Sequence, residues 1–280
     1  MSFSADERER YARHILLKEI GGPGQQRLKA ATVAIVGMGG LGAPAALYLA
    51  AAGVGTLRLI DPDTVSLSNL QRQILYRGDE VGDLKVSSAE AALTALNNNI
   101  EIDARAERLL GPPASSPAGN SSDQDSAGED AGGPGNAFDL LDGADVVLDG
   151  TDDFATRFAV NAACHELGIT LISGAVGRWD GQVGTFKSGA TKHLPPEQRL
   201  PCYRCFVPEA PPDAETCAAV GIVGALTGVI GSLMALEAIK ETAQAGESLA
   251  GRLLLFDGLR GESRTVRLPR DPACPVCGNA

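Results

Sequence analysis

Short runs rich in apolar residues recur along the chain, separated by stretches in which alanine and leucine follow helical spacing. Each run has the length of a buried strand. The runs lie at residues 33–36, 56–60, 100–105, 145–149, 169–173, 182–187 and 253–257, and the helical patterns at 42–52, 86–96 and 152–167. This alternation predicts an α/β fold: a Rossmann-like, doubly wound mixed sheet with helices on both faces.

Two further helices are indicated by local signals. Ser4–Glu7 (SADE) forms a capping-box pattern, which predicts a helix that begins there. Val220–Leu236 is uncharged and carries glycines at positions 221, 224, 228 and 231. It is short for a membrane span and ends at Glu237 and Lys240. We therefore expect a buried helix that packs closely against a neighbour.

The first strand runs directly into glycines at G-x-G-x-x-G spacing, Gly37, Gly39 and Gly42, with a fourth at Gly40. Such a turn lets backbone N–H groups approach a phosphate at a helix N-terminus. Asp61 ends the second strand about 20 residues later, where an acidic residue takes ribose hydroxyls. A nucleotide site is the favoured interpretation, although a tight turn without a ligand has the same pattern.

An NAD-dependent oxidoreductase would use the same turn, but it also needs a positioned acid or base near the nicotinamide. The three histidines are His14, His165 and His193, and neither His165 nor His193 has an evident carboxylate partner in the sequence. The redox interpretation therefore stays an alternative that the glycines alone cannot exclude.

Composition narrows the classes of ligand. The 280 residues suit one large α/β domain or two small ones, and 44% of them are hydrophobic. Aromatic residues make up only 4%, which argues against a stacking platform for single-stranded nucleic acid. The net charge of −11 means that an anionic ligand must be held by a local cluster of cations. The first residues lack the features of a signal peptide, so we expect a cytoplasmic protein.

The cysteines form two C-x-x-C pairs, Cys202/Cys205 and Cys274/Cys277. Four thiolates make a closed tetrahedral zinc site with a structural role, here joining residues that are distant in sequence. A redox dithiol or a chance arrangement is the alternative. Cys217 precedes the glycine-rich helix, where a helix N-terminus lowers a thiol pKa, so a catalytic role for it is open.

Polar residues follow two of the predicted strands. Residues 61–85 carry Asp61, Asp63, Ser68, Asn69, Arg72, Gln73 and Lys85. A solvated loop is one interpretation, but two cations after a phosphate turn on an acidic protein favour a triphosphate clamp. Asp152 and Asp153 follow the strand at 145–149. A carboxylate there can hold Mg²⁺ on phosphate oxygens, although a helix N-cap would account for either residue.

Residues 111–136 are of low complexity and contain no large apolar side chain. We expect a disordered surface insertion rather than a domain boundary, because the alternation of strands and helices resumes directly after it.

The chain resembles the ThiF/MoeB/HesA family, bacterial relatives of the ubiquitin-activating E1 enzymes, over nearly its whole length except 111–136. The motifs that carry the resemblance are 10–13 (RYAR), 37–42 (GMGGLG), 61–73 (DPDTVSLSNLQRQ), 81–85 (VGDLK), 149–152 (DGTD), 201–205 (PCYRC), 216–217 (TC) and 228–233 (GVIGSL). The resemblance implies one E1-like adenylation domain over 1–280. Within it, N-terminal helices would span 4–30, a nucleotide-binding half 31–175 and a half for the carrier and zinc 176–280.

The activity implied by the resemblance is ATP- and Mg²⁺-dependent adenylylation of a small ubiquitin-like sulfur-carrier protein at its C-terminal Gly-Gly carboxylate. Pyrophosphate leaves, and the product serves molybdopterin or thiamine synthesis. A separate sulfurtransferase would deliver the sulfur, because no rhodanese domain follows the last cysteine pair. A non-catalytic nucleotide-binding dimer that docks a ubiquitin-like partner is a further alternative.

The resemblance also implies roles for individual residues. Gly40 and its neighbours would approach the phosphates, Asp61 would bind the ribose, and Asp152 would hold Mg²⁺. Asn69, Arg72 and Lys85 would contact the triphosphate, and Arg13 would reach into the partner's ATP site in a homodimer. The four paired cysteines match the zinc site, and Cys217 matches a thiol that only some members use. Asp153 stands where many relatives have Asn, which implies an extra negative charge near the metal.

Overall fold

The protein is described here by a computed structural model that covers residues 3–111, 135–211 and 221–278. Its helices are α1 (Ala5–Arg10), α2 (Ala12–Ile15), α3 (Gly21–Ala30), α4 (Gly42–Ala52), α5 (Lys85–Leu96), α6 (Ala137–Leu141), α7 (Phe154–Leu167), α8 (Ser188–Thr191), α9 (Tyr203–Phe206) and α10 (Gly224–Ala243). Its strands are β1 (Thr32–Val36), β2 (Thr56–Ile60), β3 (Glu101–Arg105), β4 (Val146–Asp149), β5 (Thr170–Val176), β6 (Asp180–Phe186), β7 (Arg252–Asp257) and β8 (Glu262–Arg267).

The eight strands form one sheet in the order β3-β2-β1-β4-β5-β6-β7-β8. The first five in this order run parallel, and β6, β7 and β8 are antiparallel to their neighbours. The predicted mixed sheet is therefore confirmed. The chain turns back across the sheet between β1 and β4, and in such sheets a ligand crevice opens at the carboxyl ends of those strands.

Helices cover both faces of the sheet, as predicted. Strand β1 shows why, because its successive side chains point to opposite faces. Val33 and Ile35 belong to a core that α3, α4, α5 and α10 complete. Ala34 and Val36 belong to a second core that α6 and α7 complete. A strand buried on both sides reads as a continuous apolar run, which is how it appears in the sequence.

Helix α10 is the glycine-rich helix expected from the sequence, and it packs against α4, α3, β5 and β6. A Cβ atom at Gly231 would lie 2.5 Å from the carbonyl oxygen of Leu41 and 2.6 Å from Pro44 Cγ, so α10 approaches the start of α4 closely. A Cβ atom at Gly228 would meet nothing within 4 Å. Among the described helices, none is long and apolar enough to cross a membrane.

The predicted N-terminal capping box is present. The Glu7 amide donates to Ser4 Oγ over 3.1 Å, and the Ser4 amide donates to Glu7 Oε2 over 2.8 Å. Strand β8 was not predicted, because its mostly exposed side chains at the sheet edge show no apolar run. Most of the predicted insertion, residues 112–134, lies outside the described residues, as does Cys217.

Candidate active site

A cavity of about 450 Å³ opens where β1, β2 and β4 end, at the crevice expected for this topology. It gathers residues from three separate motifs of the sequence. The predicted site residues that line it are Gly37, Gly39, Gly40, Asp61, Asp63, Asn69, Arg72, Gln73, Lys85, Asp152 and Asp153. Gly42 and Ser68 are not in the lining, although both contact residues that are.

The glycine turn forms one wall of the cavity. Gly37 has φ +86°, a left-handed conformation that favours glycine, and its amide donates to the Ile60 carbonyl over 2.9 Å. A Cβ atom at Gly42 would lie 1.9 Å from the Gly37 carbonyl oxygen. At these two positions, glycine therefore lets the turn close tightly enough to present its backbone to the cavity.

Asp61 is held beside this turn by two backbone donors. Its Oδ2 accepts from the Met38 amide over 2.7 Å, and its Oδ1 accepts from the Asp63 amide over 2.9 Å. Burial raises the pKa of the Asp61 carboxyl, even though Lys85 and both amides act in the opposite direction. The carboxyl group is thus fixed at the end of β2, beside the glycine turn.

Lys85 lines the cavity and is almost completely buried. Its Nζ donates to Asp63 Oδ2 over 2.8 Å and lies 3.6 Å from Asp61 Oδ2. Two carboxylates therefore hold one ammonium group. The sequence predicts that Asp63 contacts the nucleotide. In the structure, the Asp63 carboxylate instead accepts a hydrogen bond from Lys85.

Asn69 and Arg72, the other residues of the predicted clamp, also line the cavity together with Gln73. Arg72 Nη2 donates to Asn69 Oδ1 over 3.2 Å, and Arg72 Nη1 donates to the Ser68 carbonyl over 3.3 Å. Gln73 is buried, and its Oε1 has no hydrogen-bond partner among the described residues. A buried acceptor without a partner is costly, and Gln73 Oε1 is shielded from solvent where the residue borders the cavity.

The structure distinguishes the two neighbouring aspartates. Asp153 is the N-cap of α7, since its Oδ1 accepts from the Ala155 amide over 3.0 Å and its Oδ2 from the Thr156 amide over 2.9 Å. Burial alone would raise the pKa of Asp153, but these hydrogen bonds and one from the Thr156 hydroxyl lower it. Asp152 makes no hydrogen bond or ion pair within the described part of the chain, so its carboxylate stays available to a cation in the cavity.

Two further residues of the cavity wall, Arg157 and Tyr203, were not foreseen. Arg157 is buried, and its Nη2 donates to the carbonyls of Thr151 and Gly174. Its Nη1 contacts the Tyr203 hydroxyl at 3.4 Å. In the sequence, Arg157 is one polar residue in a helical pattern, and nothing there indicates that its guanidinium turns inward.

The four paired cysteines come together as the sequence predicts, with all four Sγ atoms within 4.8 Å of one another. The Sγ atoms of Cys202 and Cys274 are 3.5 Å apart, and those of Cys205 and Cys277 are 3.4 Å apart. A tetrahedral zinc–thiolate site with Zn–S bonds of ~2.3 Å needs sulfur atoms ~3.8 Å apart, so the cluster fits zinc. Hydrogen bonds from the Cys202 and Cys277 thiols lower the pKa of Cys205, and the same contacts among the sulfur atoms raise the pKa of Cys202.

Arg13, a predicted catalytic residue, is exposed on α2 and does not line the cavity. Cys217 cannot be placed, because it lies outside the described residues. Cys164 is buried in α7, and burial raises the pKa of its thiol, as expected for a core residue.

Comparison with known proteins gives a consistent result. The sequence matches the ThiF family over residues 11–276. It is 40% identical over 281 residues to a sulfur carrier protein adenylyltransferase of Thermus thermophilus, which covers 100% of this chain and 94% of that protein. It is 43% identical over 281 residues to the adenylyltransferase and sulfurtransferase MOCS3 of Bos taurus, with 99% of this chain covered.

The chain spans only 54% of the length of that MOCS3 protein. Among solved structures, E. coli MccB with MccA-N7isoASN aligns with a TM-score of 0.72 over 96% of this chain and 75% of that one. The sequence identity is 23%, so this likeness concerns the fold alone.

Proposed function

Because the chain belongs to the ThiF family, we propose that it is an enzyme that adenylylates the C-terminal Gly-Gly carboxylate of a ubiquitin-like sulfur-carrier protein. Family members use ATP as the nucleotide. The observation that supports this proposal most directly is the cavity, where the glycine turn, Asp61, Arg72, Lys85 and Asp152 meet. The relatives reported above are adenylyltransferases rather than oxidoreductases.

The chemistry suits a site without a catalytic base. A C-terminal carboxylate has a pKa of ~3.5 and is already ionised at neutral pH. One of its oxygens attacks the α-phosphorus, the bond from that phosphorus to the bridging oxygen breaks, and pyrophosphate leaves with the electron pair. The obstacle is electrostatic, because each pair of like unit charges at ~4 Å costs ~4 kcal/mol at an effective dielectric constant of ~20.

Positively charged groups held in fixed positions would offset this repulsion between the carboxylate and the phosphates. Arg72 and Lys85 would bind the triphosphate. The Lys85 ammonium group would move from the Asp63 carboxylate to a phosphate oxygen, so its charge would be paired both before and after the nucleotide binds. Gly40 and the turn would donate backbone N–H groups, Asp61 would accept from the ribose hydroxyls, and Gln73 would contribute to the wall of the nucleotide site.

Asp152 would hold Mg²⁺, a hard cation that takes carboxylate and phosphate oxygens. When bound, Mg²⁺ supplies charge neutralisation at the phosphates. Cys202, Cys205, Cys274 and Cys277 would hold a structural zinc ion, since four sulfur ligands leave no open position for a substrate.

The remaining parts of the proposal concern partners. The half of the chain over 176–280, with its antiparallel strands, would receive the carrier protein. Arg13, exposed on α2, would complete the ATP site of a second copy in a homodimer. A separate sulfurtransferase would act after adenylylation, and Cys217 would serve either that later step or packing. The carrier would belong to molybdopterin or thiamine synthesis.

The direct test is ATP–pyrophosphate exchange with purified chain and a MoaD-like or ThiS-like carrier. Exchange should require the carrier and should disappear with the same carrier lacking its two terminal glycines, because the attacking carboxylate then no longer reaches the α-phosphorus. An absence of exchange with both kinds of carrier would contradict the proposed activity.

A further inference from the structure

The short helix α9 belongs to two sites at once. Cys202 and Cys205, which flank or lie within it, provide two of the four sulfur atoms of the cysteine cluster. Tyr203 and Phe206 of the same helix line the nucleotide cavity. Any change in the position of α9 therefore reaches both sites.

The cluster and one hydrogen bond fix where α9 lies. The Tyr203 amide donates to Asn161 Oδ1 on α7 over 2.7 Å, and both groups are buried. The Tyr203 ring packs edge-on against Phe186 with centroids 5.7 Å apart, and at 6.2 Å from both Phe158 and Phe206. The aromatic ring thus has an apolar seat, and its hydroxyl points to Arg157.

Arg157 continues the connection toward the nucleotide. Its guanidinium joins three groups: the Tyr203 hydroxyl, the Gly174 carbonyl of β5 and the Thr151 carbonyl. Thr151 directly precedes Asp152, and its amide and hydroxyl are bound by the buried Asp149 carboxylate over 3.1 Å and 2.7 Å. The 150–153 loop is therefore held by Asp149 from one side and by Arg157 from the other.

The charge balance explains why Arg157 tolerates burial. Burial alone would lower its pKa, but Asp149, the Tyr203 hydroxyl and Asp152 more than offset this and raise it. Arg157 stays charged, and a charged donor makes stronger hydrogen bonds to carbonyl groups than a neutral one.

We propose that Arg157 is a positioning residue that fixes the Thr151–Asp152 loop for magnesium-nucleotide binding, and that Tyr203 couples Arg157 to the cysteine cluster. The inference rests on the proposed function, in which Asp152 holds Mg²⁺. It assigns to the cluster an effect on the cavity: metal at the four sulfur atoms adds a restraint on α9, so Tyr203 is held against Arg157 more firmly than by the Asn161 hydrogen bond and the aromatic contacts alone.

The first test compares Tyr203→Phe with Phe186→Leu. Tyr203→Phe removes only the hydroxyl and keeps the ring in its seat, whereas Phe186→Leu disturbs the same aromatic cluster without touching the polar connection. For Tyr203→Phe we expect the Kd of MgATP, measured by calorimetry on carrier-free protein, to rise about tenfold, with zinc content and the KM of the carrier unchanged. Phe186→Leu should lower Tm but leave this Kd as it is.

The second test asks whether the cluster acts through Tyr203. Zinc is removed with a chelator, the chelator is dialysed away, and MgATP affinity is measured again in wild type and in Tyr203→Phe. Wild type should lose about tenfold in affinity, and the variant should lose little more, because the connection is already broken. Equal losses in both proteins, or no loss in either, would overturn the proposal.

A readout independent of nucleotide separates this inference from the proposed function. Amide hydrogen exchange of residues 150–157 in ligand-free wild type should become faster after zinc removal, and Tyr203→Phe should show the faster rate from the start. If ATP–pyrophosphate exchange fails with every carrier while the hydrogen-exchange protection of residues 150–157 behaves as expected, the proposed activity is wrong and the coupling stands. Unchanged protection in active enzyme would refute the coupling alone.

Discussion

The cavity at the ends of β1, β2 and β4 differs from the cysteine cluster in how far its polar atoms are paired with one another. In the cavity, Gln73 Oε1 has no partner among the described residues and Asp152 makes no hydrogen bond there. In the cluster, four sulfur atoms face one another, and Cys205 Sγ also accepts from the Asp271 amide over 3.4 Å. The Asp152 carboxylate is therefore open to a ligand, whereas the cluster already brings together the four sulfur ligands of a closed metal site.

The largest effect expected from this difference is on activity at the cavity. Arg72→Ala should reduce ATP–pyrophosphate exchange by ~10³-fold, because a cation aimed at the developing charge is lost. Zinc content and Tm should stay near those of wild type, since among the described residues the Arg72 guanidinium bonds only to Asn69 Oδ1 and the Ser68 carbonyl. Arg77→Ala is the matched control, because Arg77 is exposed and does not line the cavity. Near-normal exchange in Arg72→Ala would remove Arg72 from the mechanism.

At the cluster, the expected effect is on stability. Cys274→Ser should lower Tm by ~10 °C, which corresponds to ~3–5 kcal/mol in a chain of this size, since metal binding contributes to folding. Calorimetry and metal analysis would measure both changes. Cys164→Ala removes a buried thiol outside the cluster and should leave the zinc content intact. A Cys274→Ser protein with full zinc and unchanged Tm would contradict a closed structural site.

Asp152 and Asp153 allow a comparison of an unpaired carboxylate with a paired one within a single loop. Asp152→Asn should raise the Mg²⁺ concentration for half-maximal exchange about tenfold and change Tm only slightly, because the Asp152 side chain has no hydrogen bond among the described residues and contributes less than Asp149 and Tyr203 to keeping the buried Arg157 charged. Asp153→Ala should do the reverse, with a loss of ~1 kcal/mol in the free energy of unfolding and little change in Mg²⁺ requirement. If Asp153→Ala alters the Mg²⁺ requirement and Asp152→Asn does not, the roles are exchanged.

The smallest expected effect is the pH dependence of that helix cap. The pKa of Asp153 is lowered in the folded protein, so its stabilisation is present above the ordinary aspartate pKa and is lost as pH falls through the lowered value. Asp153→Asn keeps the cap and removes the titration. Denaturation followed from pH 6 to pH 3 should show a shallower decline for Asp153→Asn, by ~0.5 kcal/mol. Parallel curves would show that the Asp153 charge adds nothing.

Much of the structure over residues 31–175 could be predicted, because its signals are local. A buried parallel strand is an apolar run, as in Val33–Val36, and the turn after it needs glycine where φ is positive or another backbone lies close. Residues that cluster at the ends of β1, β2 and β4 follow from the topology alone. The Cys202 and Cys274 pairs were likewise recognisable, because their C-x-x-C spacing brings two sulfur atoms together regardless of the fold.

Other features depend on contacts that no local pattern records. Strand β8 pairs with β7 at the sheet edge, but its exposed side chains look like those of a loop. The ion pair of Lys85 with Asp63 joins residues 22 positions apart, and the inward turn of Arg157 depends on carbonyls of Thr151 and Gly174. Which of two adjacent aspartates caps α7 also depends on where the helix begins.

The close approach of α10 to α4 has a consequence for sequence redesign. By intrinsic propensity, replacing a helical glycine by alanine gains ~1 kcal/mol. At Gly228 nothing opposes that gain within 4 Å, whereas at Gly231 the new methyl group would overlap the Leu41 carbonyl at the start of the helix that follows the glycine turn. Two glycines three residues apart on one helix therefore differ in their tolerance of alanine, and a propensity-based redesign that replaces both would force α10 against the start of α4, where the glycine turn lines the cavity.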